Sequence, residues 1–214
     1  MKKLITFEGV EGSGKSTQIK LVAEYLIEKN FELLITQEPS GTDIGRKIGG
    51  ILFNRKNYMS AETEMFLFCA ARAQHVREMI MPALKQNKVV LCDRFSDATY
   101  AYQGAGRGLD QKFIKLINDY SSMLLKPDLT LLFDLPVEIG LLRATQRNNR
   151  LKESSSIDRF ERENVDFHRR IREGYLNILK NEPNRFRLID ATRDIDTIQK
   201  EVRQHIIDFI NLQN

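Results

Sequence analysis

Five short runs along the chain are strand candidates, 3–8, 32–36, 88–93 (KVVLCD), 129–134 (LTLLFD) and 186–190, and two of them, KVVLCD and LTLLFD, are apolar almost throughout. Near-continuous apolar runs of this length are the pattern of strands buried on both faces of a parallel sheet. The segments between them repeat apolar residues at spacings of three and four instead. Ile19, Val22, Ala23, Leu26 and Ile27 form one stripe, and Ile195, Ile198, Val202, Ile206 and Phe209 form another. Strands alternating with helices predict an α/β fold: a parallel sheet with right-handed crossovers, covered by helices on both sides. Ligands of such sheets sit beyond the carboxyl ends of the strands. Glu8, Asp93 and Asp134 end three of the runs, so they crowd one edge. The segment 146–157 (QRNNRLKESSSI) breaks the alternation; polar, basic and serine-containing, it predicts an exposed loop able to close over a ligand.

At 214 residues the chain fits a single domain, 1–214, long enough to bury a full core. Its 42% hydrophobic and 29% charged residues argue against disorder. A net charge of +4, spread over mixed-sign segments, permits an anionic ligand without calling for nucleic acid. Cys69 and Cys92 lie in apolar surroundings and read as small core residues of a reducing, cytoplasmic compartment. No run approaches the ~20 apolar residues of a membrane span, and the N-terminal apolar run stops too early for a signal peptide. His75, His168 and His205 are too far apart to suggest a metal cluster.

Chemistry first shows itself at residues 9–16, GVEGSGKS, between a predicted strand and a predicted helix. This matches G-x-x-x-x-G-K-[ST] in the required context. Glycines let backbone N–H groups point at phosphate oxygens, and the helix N-terminus adds partial positive charge. Lys15 would neutralise terminal phosphates, and the Ser16 hydroxyl would ligate Mg²⁺. The expected ATP-binding set is therefore Gly9, Val10, Glu11, Gly12, Ser13, Gly14, Lys15, Ser16 and Thr17. A guanine-reading N-K-x-D sequence is missing, so a small-molecule phosphotransferase leads, and it needs an acceptor site. The second strand ends in TQEPSG (36–41) and turns into a helix near Thr42; the third ends in CDRF (92–95). Asp93 can hold a Mg²⁺-bound water, and Arg94 can grip a phosphate with its fork.

The segments FEGVEGSGKS, EPSG, FCAAR, DRFSDATYAYQGAGRG, KPDLTLLFDLPVEIGLLR and DRFE, in this order, resemble the thymidylate kinase family, which phosphorylates dTMP with ATP. The resemblance runs from residue 5 to about 175. It implies a P-loop NTPase three-layer fold with a lid. It also implies a dTMP site built from Glu11, Glu38, Pro39, Arg46, Phe68, Arg72, Arg94, Thr99, Tyr102, Gln103 and Glu161. In it Phe68 would stack on thymine and Arg72, a turn later, would donate to the base edge. Arg46 and Arg94 would hold the dTMP phosphate, and Gln103 would approach the base. Tyr102 would pack under the deoxyribose, Glu161 would lie at the sugar end, and Glu11 would reach the 3′-OH or the metal. Asp93 and Ser16 would hold Mg²⁺. On pattern alone Phe68 and Tyr102 would be packing residues, and Arg159, Arg162, Arg169, Arg170 and Arg172 a solvated helix face.

Some family members carry an arginine inside the glycine turn, where this chain has Gly12; the resemblance then implies that the lid supplies the catalytic cation. Arg147 leads, Arg150 follows, and Arg143 reads as helix surface. The chain departs from the family's usual residues at Gln37, Ser40 and Ala98. Family members are typically homodimers, and the apolar helix around 61–84 is the expected interface. The expected partners are ATP, dTMP and a second copy, with no nucleic acid and no membrane. The competing readings are another nucleoside-monophosphate or deoxynucleoside kinase, and a non-catalytic NTP-dependent switch.

Overall fold

The computed structural model describes residues 3–150 and 159–211, the side chains of 148–150 excepted. Its sheet has the strands β1 (Leu4–Glu8), β2 (Leu33–Gln37), β3 (Val89–Asp93), β4 (Leu129–Asp134) and β5 (Phe186–Asp190). All pair in parallel, in the order β2-β3-β1-β4-β5. The five predicted runs match these strands to within a residue at each end. The three central strands are almost wholly buried, whereas β2 and β5, at the edges, are partly exposed. This is why the near-continuous runs KVVLCD and LTLLFD are central strands, and neither edge strand is one.

Nine α-helices are described: α1 (Lys15–Glu28), α2 (Asp43–Leu52), α3 (Ala61–His75), α4 (Met81–Lys85), α5 (Ser96–Thr99), α6 (Gln111–Ser121), α7 (Val137–Arg150), α8 (Val165–Asn181) and α9 (Ile195–Asn211). Alternate side chains of β3 enter two cores. Val89 and Leu91 join α1, α8 and α9 residues; Val90 and Cys92 join Val76, Ile80 and Leu84. Helices thus cover both faces, as the alternation requires. The termini are conventional: Thr42, Ser60, Asp110 and Asn164 accept from backbone N–H groups at the starts of α2, α3, α6 and α8.

Two π-helical stretches shape the site. Val76–Ile80 joins α3 to α4 just ahead of Pro82, which has no N–H to give a regular helix. Tyr100–Gly106 follows α5 and turns both Tyr102 and Gln103 into the interior. One boundary differs from expectation. Residues 146–150, predicted as the start of the loop, continue α7; the exposed Gln146 and Arg147 are good helix formers that carry no apolar periodicity. The remaining predicted loop, 151–157, lies outside the described residues.

Candidate active site

The glycine turn follows from β1 and α1. Gly14 caps α1 at φ 86°, leaving the helix N-terminus open to an anion. Gly12, at φ 69°, has no room for a side chain, since a Cβ would collide with the carbonyl oxygen of Gly140 on α7. That close approach has a consequence. Gly140, Arg143 and Arg147 are spaced three and four apart, so seating Gly140 on the turn brings both arginines to its rim. Lys15 is buried and folds back on the loop, donating to the carbonyls of Gly9 and Val10 at 3.0 Å each and to Ser13 Oγ at 3.2 Å. Burial, with repulsion from Arg94, pulls its ammonium down to about 8 against the attraction of Asp93, Glu11 and Glu8.

The end of β3 closes the other side. Ser16 Oγ donates to Asp93 Oδ2 at 2.7 Å. Arg94 takes the left-handed conformation at φ 64°, unusual for a side chain with a Cβ and characteristic of functional turns. Its Nη1 donates to Gly9 O at 2.9 Å and to Tyr175 Oη at 3.1 Å, and its guanidinium lies 4.8 Å from the Tyr102 ring centroid. Glu11 gathers Arg94 Nη2 at 3.3 Å, the Tyr102 hydroxyl at 2.5 Å and His168 Nδ1 at 3.1 Å. Burial opposes its charge, but the His168 bond, the Arg94 charge and the Tyr102 bond outweigh that and bring its carboxyl down to about 2. Glu8, behind them, accepts from Phe95 N–H and the Tyr175 hydroxyl, both at 2.7 Å. Burial above all, then repulsion from Asp97, pushes its carboxyl up to about 8.

A cavity of about 220 Å³ opens onto this edge. It gathers most of the expected residues: Glu11, Gly12, Lys15, Ser16, Glu38, Pro39, Phe68, Arg72, Asp93, Arg94, Thr99, Tyr102, Gln103, Arg147 and Glu161. Arg147 Nη2 reaches Glu161 Oε1 at 2.7 Å across its mouth. Gly9 and Val10 contribute their carbonyls to Lys15 from behind. Gly12, Ser13, Gly14 and Thr17 line a neighbouring groove with Arg143 and Arg193.

Some expected residues are placed differently. Arg46 is not brought to the cavity; its exposed guanidinium pairs with Asp43, three residues back on α2. Arg72 reaches the wall, but its five donors all have protein partners. Nε meets Glu38, Nη1 meets Asn118 and Cys69, and Nη2 meets Phe95 O and Thr99 Oγ1. A bond from Arg72 to a base would have to be shared with one of these. The side chain of Arg150 lies outside the described residues. Gln37 and Ser40 line a separate groove beside Asp93, whereas Ala98 sits in the cavity wall. Arg143, expected on the helix surface, donates to the carbonyls of Ala191 and Thr192. The arginines read as one solvated face divide: Arg169 pairs at the surface, but Arg172 forks onto Asp134 and Arg159 reaches buried Glu64.

Sequence reading missed Phe53 and Phe160 in the cavity wall, and His168 and Tyr175 behind it. The signal for the last two was present: His168, Ile171 and Tyr175 are spaced three and four apart on one buried stripe of α8. Among the described residues no three His, Cys, Asp or Glu side chains converge as a metal site.

A glycine turn running into a helix, a strand-end Asp-Arg pair and an enclosed cavity between them define a P-loop nucleotide phosphotransferase fold. The thymidylate kinase family model matches residues 7–202, and the chain belongs to the thymidylate kinase family. It is 51% identical over 207 residues to the thymidylate kinase of Syntrophus aciditrophicus, covering 96% of this chain and 94% of the relative. It is 47% identical to that of Geotalea daltonii, covering 97% of each. Among solved structures, the thymidylate kinase of Ehrlichia chaffeensis superposes with a TM-score of 0.75 at 33% identity, covering 98% of each chain.

Proposed function

We propose that this protein, acting as a single kinase domain, transfers the γ-phosphoryl group of ATP to dTMP, giving dTDP and ADP for dTTP synthesis. The observation that carries the reading is the continuity of the two half-sites. Lys15, Ser16, Asp93 and Arg94 line the same cavity as Phe68, Tyr102 and Gln103. A base stacked on Phe68 would share this cavity with Arg94, the group suited to its phosphate, beside the glycine turn. Family membership supports ATP as donor and dTMP as acceptor.

The residues suit Mg²⁺. Ser16 Oγ and Asp93 Oδ2, 2.7 Å apart, are hard oxygen ligands, and two protein ligands fit an ion that keeps waters and phosphate oxygens in its shell. When bound, the ion supplies charge neutralisation on the transferring phosphates. The chain's own groups do the rest. Turn amides and Lys15 cradle the donor phosphates, with Arg143 and Arg193 at the adenosine side of the groove. Arg94, locked by four contacts, holds the acceptor phosphate in line. Arg147, itself largely exposed, exchanges its pairing with the mostly buried Glu161 carboxylate for the transferring group. The acceptor phosphate is already a competent nucleophile, so no strong base is needed, and positioning supplies most of the rate.

The enzyme is read as a cytoplasmic homodimer. Both cysteines are free and buried, and no described helix is long and apolar enough to cross a membrane. Phe66 of α3 meets Phe113 of α6 edge-on at 6.1 Å, and Leu116 and Tyr120 extend this exposed apolar face. This face supports an interface on α6 beside the expected helix, and Leu116→Lys is expected to convert the dimer to monomer in sedimentation. Coupled ADP release with dTMP, dUMP, dCMP and dGMP as acceptors tests the reaction. Acceptor-independent turnover, or a preference for another monophosphate, ends the dTMP reading.

A further inference from the structure

Glu64 lies outside the cavity, is 1% exposed, and carries more hydrogen bonds than its position on α3 requires. Its Oε1 accepts from Gln103 Nε2 at 2.8 Å and from Arg107 Nε at 3.3 Å. Its Oε2 accepts from Arg107 Nη2 at 3.0 Å and from Arg159 Nη2 at 2.5 Å. Arg107 and Arg159 are themselves anchored, on Glu163 and on the Leu52 carbonyl. Two fixed cations therefore hold the carboxylate still, and the carboxylate holds the amide of Gln103.

The direction of that amide matters. A carboxylate only accepts, so Gln103 must turn its NH₂ to Glu64. Its carbonyl oxygen is then the polar atom it has left for the cavity it lines. Thymine and uracil present an N3–H donor on their pairing edge, whereas cytosine presents a bare N3 acceptor. A fixed carbonyl meets the first two with a hydrogen bond and the third with two opposed lone pairs.

We infer that Glu64 is a positioning residue for base selection: it fixes Gln103 with its carbonyl toward the nucleobase and so excludes monophosphates without an imide N–H. The inference rests on the reading that Gln103 faces the base, and the test separates the two. In Glu64→Gln, Arg107 and Arg159 compete for the single amide oxygen, leaving an NH₂ toward Gln103. Gln103 then reverses and offers its own NH₂ to the cavity.

The full-length enzyme is assayed with ATP and dTMP, dUMP or dCMP, comparing wild type, Glu64→Gln and Gln103→Met by kcat/KM. The expected result is a dTMP/dCMP ratio lower by about tenfold or more in both variants, since an unmatched buried polar group is the strong discriminator. The dTMP/dUMP ratio, which depends on a methyl and not on the imide, stays within about twofold of wild type. Proportional loss on all three acceptors in Glu64→Gln, with Gln103→Met still narrowing the ratio, makes Glu64 a structural residue and overturns the inference. An unchanged ratio in Gln103→Met overturns the placement of Gln103 beneath it. If Glu64→Gln does not fold, Glu64→Asp decides by the same ratio, because it keeps the charge for the arginines and withdraws the acceptor from Gln103.

Discussion

Ser16 Oγ and Asp93 Oδ2 are hydrogen-bonded at 2.7 Å, joining the first turn of α1 to the end of β3 across 77 residues of sequence. Adjacent parallel strands make this possible, since β1 pairs with β3 in the register Phe7↔Asp93. The two oxygens are thus held as a pair by the sheet itself. Asp93→Asn is expected to lower kcat by about two to three orders of magnitude, the usual cost of losing one electrostatic contact to the transition state. Ser16→Ala is expected to raise the Mg²⁺ concentration needed for half-maximal rate. Titrating rate against Mg²⁺ checks both, and an unchanged Mg²⁺ dependence in each would remove these residues from the metal site.

Gly12 and Gly14 both have positive φ, but only Gly12 faces a wall. Gly14→Ala costs the left-handed backbone penalty alone, about 1 kcal/mol. Gly12→Ala pays the same penalty and must also push Gly140, and α7 with it, away from the turn. It is expected to lose clearly more stability than Gly14→Ala in denaturant titrations. Equal losses would mean that α7 yields freely and does not rely on this contact to seat Arg143 and Arg147.

Those two arginines share a face of α7 but have different surroundings. Arg143 is tied to the Ala191 and Thr192 carbonyls beside the donor groove, whereas Arg147 sits at the cavity mouth. Arg143→Ala is expected to raise KM for ATP several-fold with a smaller change in kcat. Arg147→Ala is expected to lower kcat by about 10²-fold or more with KM for ATP nearly unchanged, the pattern of a contact made only in the transition state. Steady-state kinetics with each substrate varied separates the cases. The reverse pattern would exchange the two roles.

How much of this was legible in the chain follows from the range of the interactions. Strands and the glycine turn are written locally, in runs of a few residues, and they came out within a residue. The neighbours of the glutamates were not legible in the same way. Glu8 meets Tyr175 across 167 residues and Glu11 meets His168 across 157, distances at which no spacing rule acts. Arg46, a cation expected at the site, lies on the exposed face of α2 beside Asp43, three residues away, where its spacing alone does not tell a surface pair from a ligand contact. The end of α7 was misplaced because its last five residues, QRNNR, contain no apolar residue to show a period.

The Glu8 carboxyl makes the pH dependence of stability an informative measurement. It is buried, repelled by Asp97, and pushed up to about 8 from an ordinary 4.5, although Arg94, the Tyr175 hydroxyl and the Phe95 N–H all favour its charged form. Between those two values the folded protein holds a proton that the unfolded chain has released. Stability from this group is therefore fully present below about pH 4.5 and falls as pH rises towards about 8, with a limiting slope of about 1.4 kcal/mol per pH unit. Glu11 acts in a separate window with the opposite sign. Its carboxyl is brought down to about 2, so its contribution is present above 4.5 and is lost as pH falls through about 2. Wild-type Tm is thus expected to decline between pH 5 and 8. Glu8→Gln, which cannot titrate, is expected to flatten that decline whatever its effect on absolute stability. Thermal melts of both proteins across this range decide the matter: parallel wild-type and Glu8→Gln profiles would mean that Glu8 is ionised in the folded protein, with the Tyr175 and Arg94 contacts outweighing its burial.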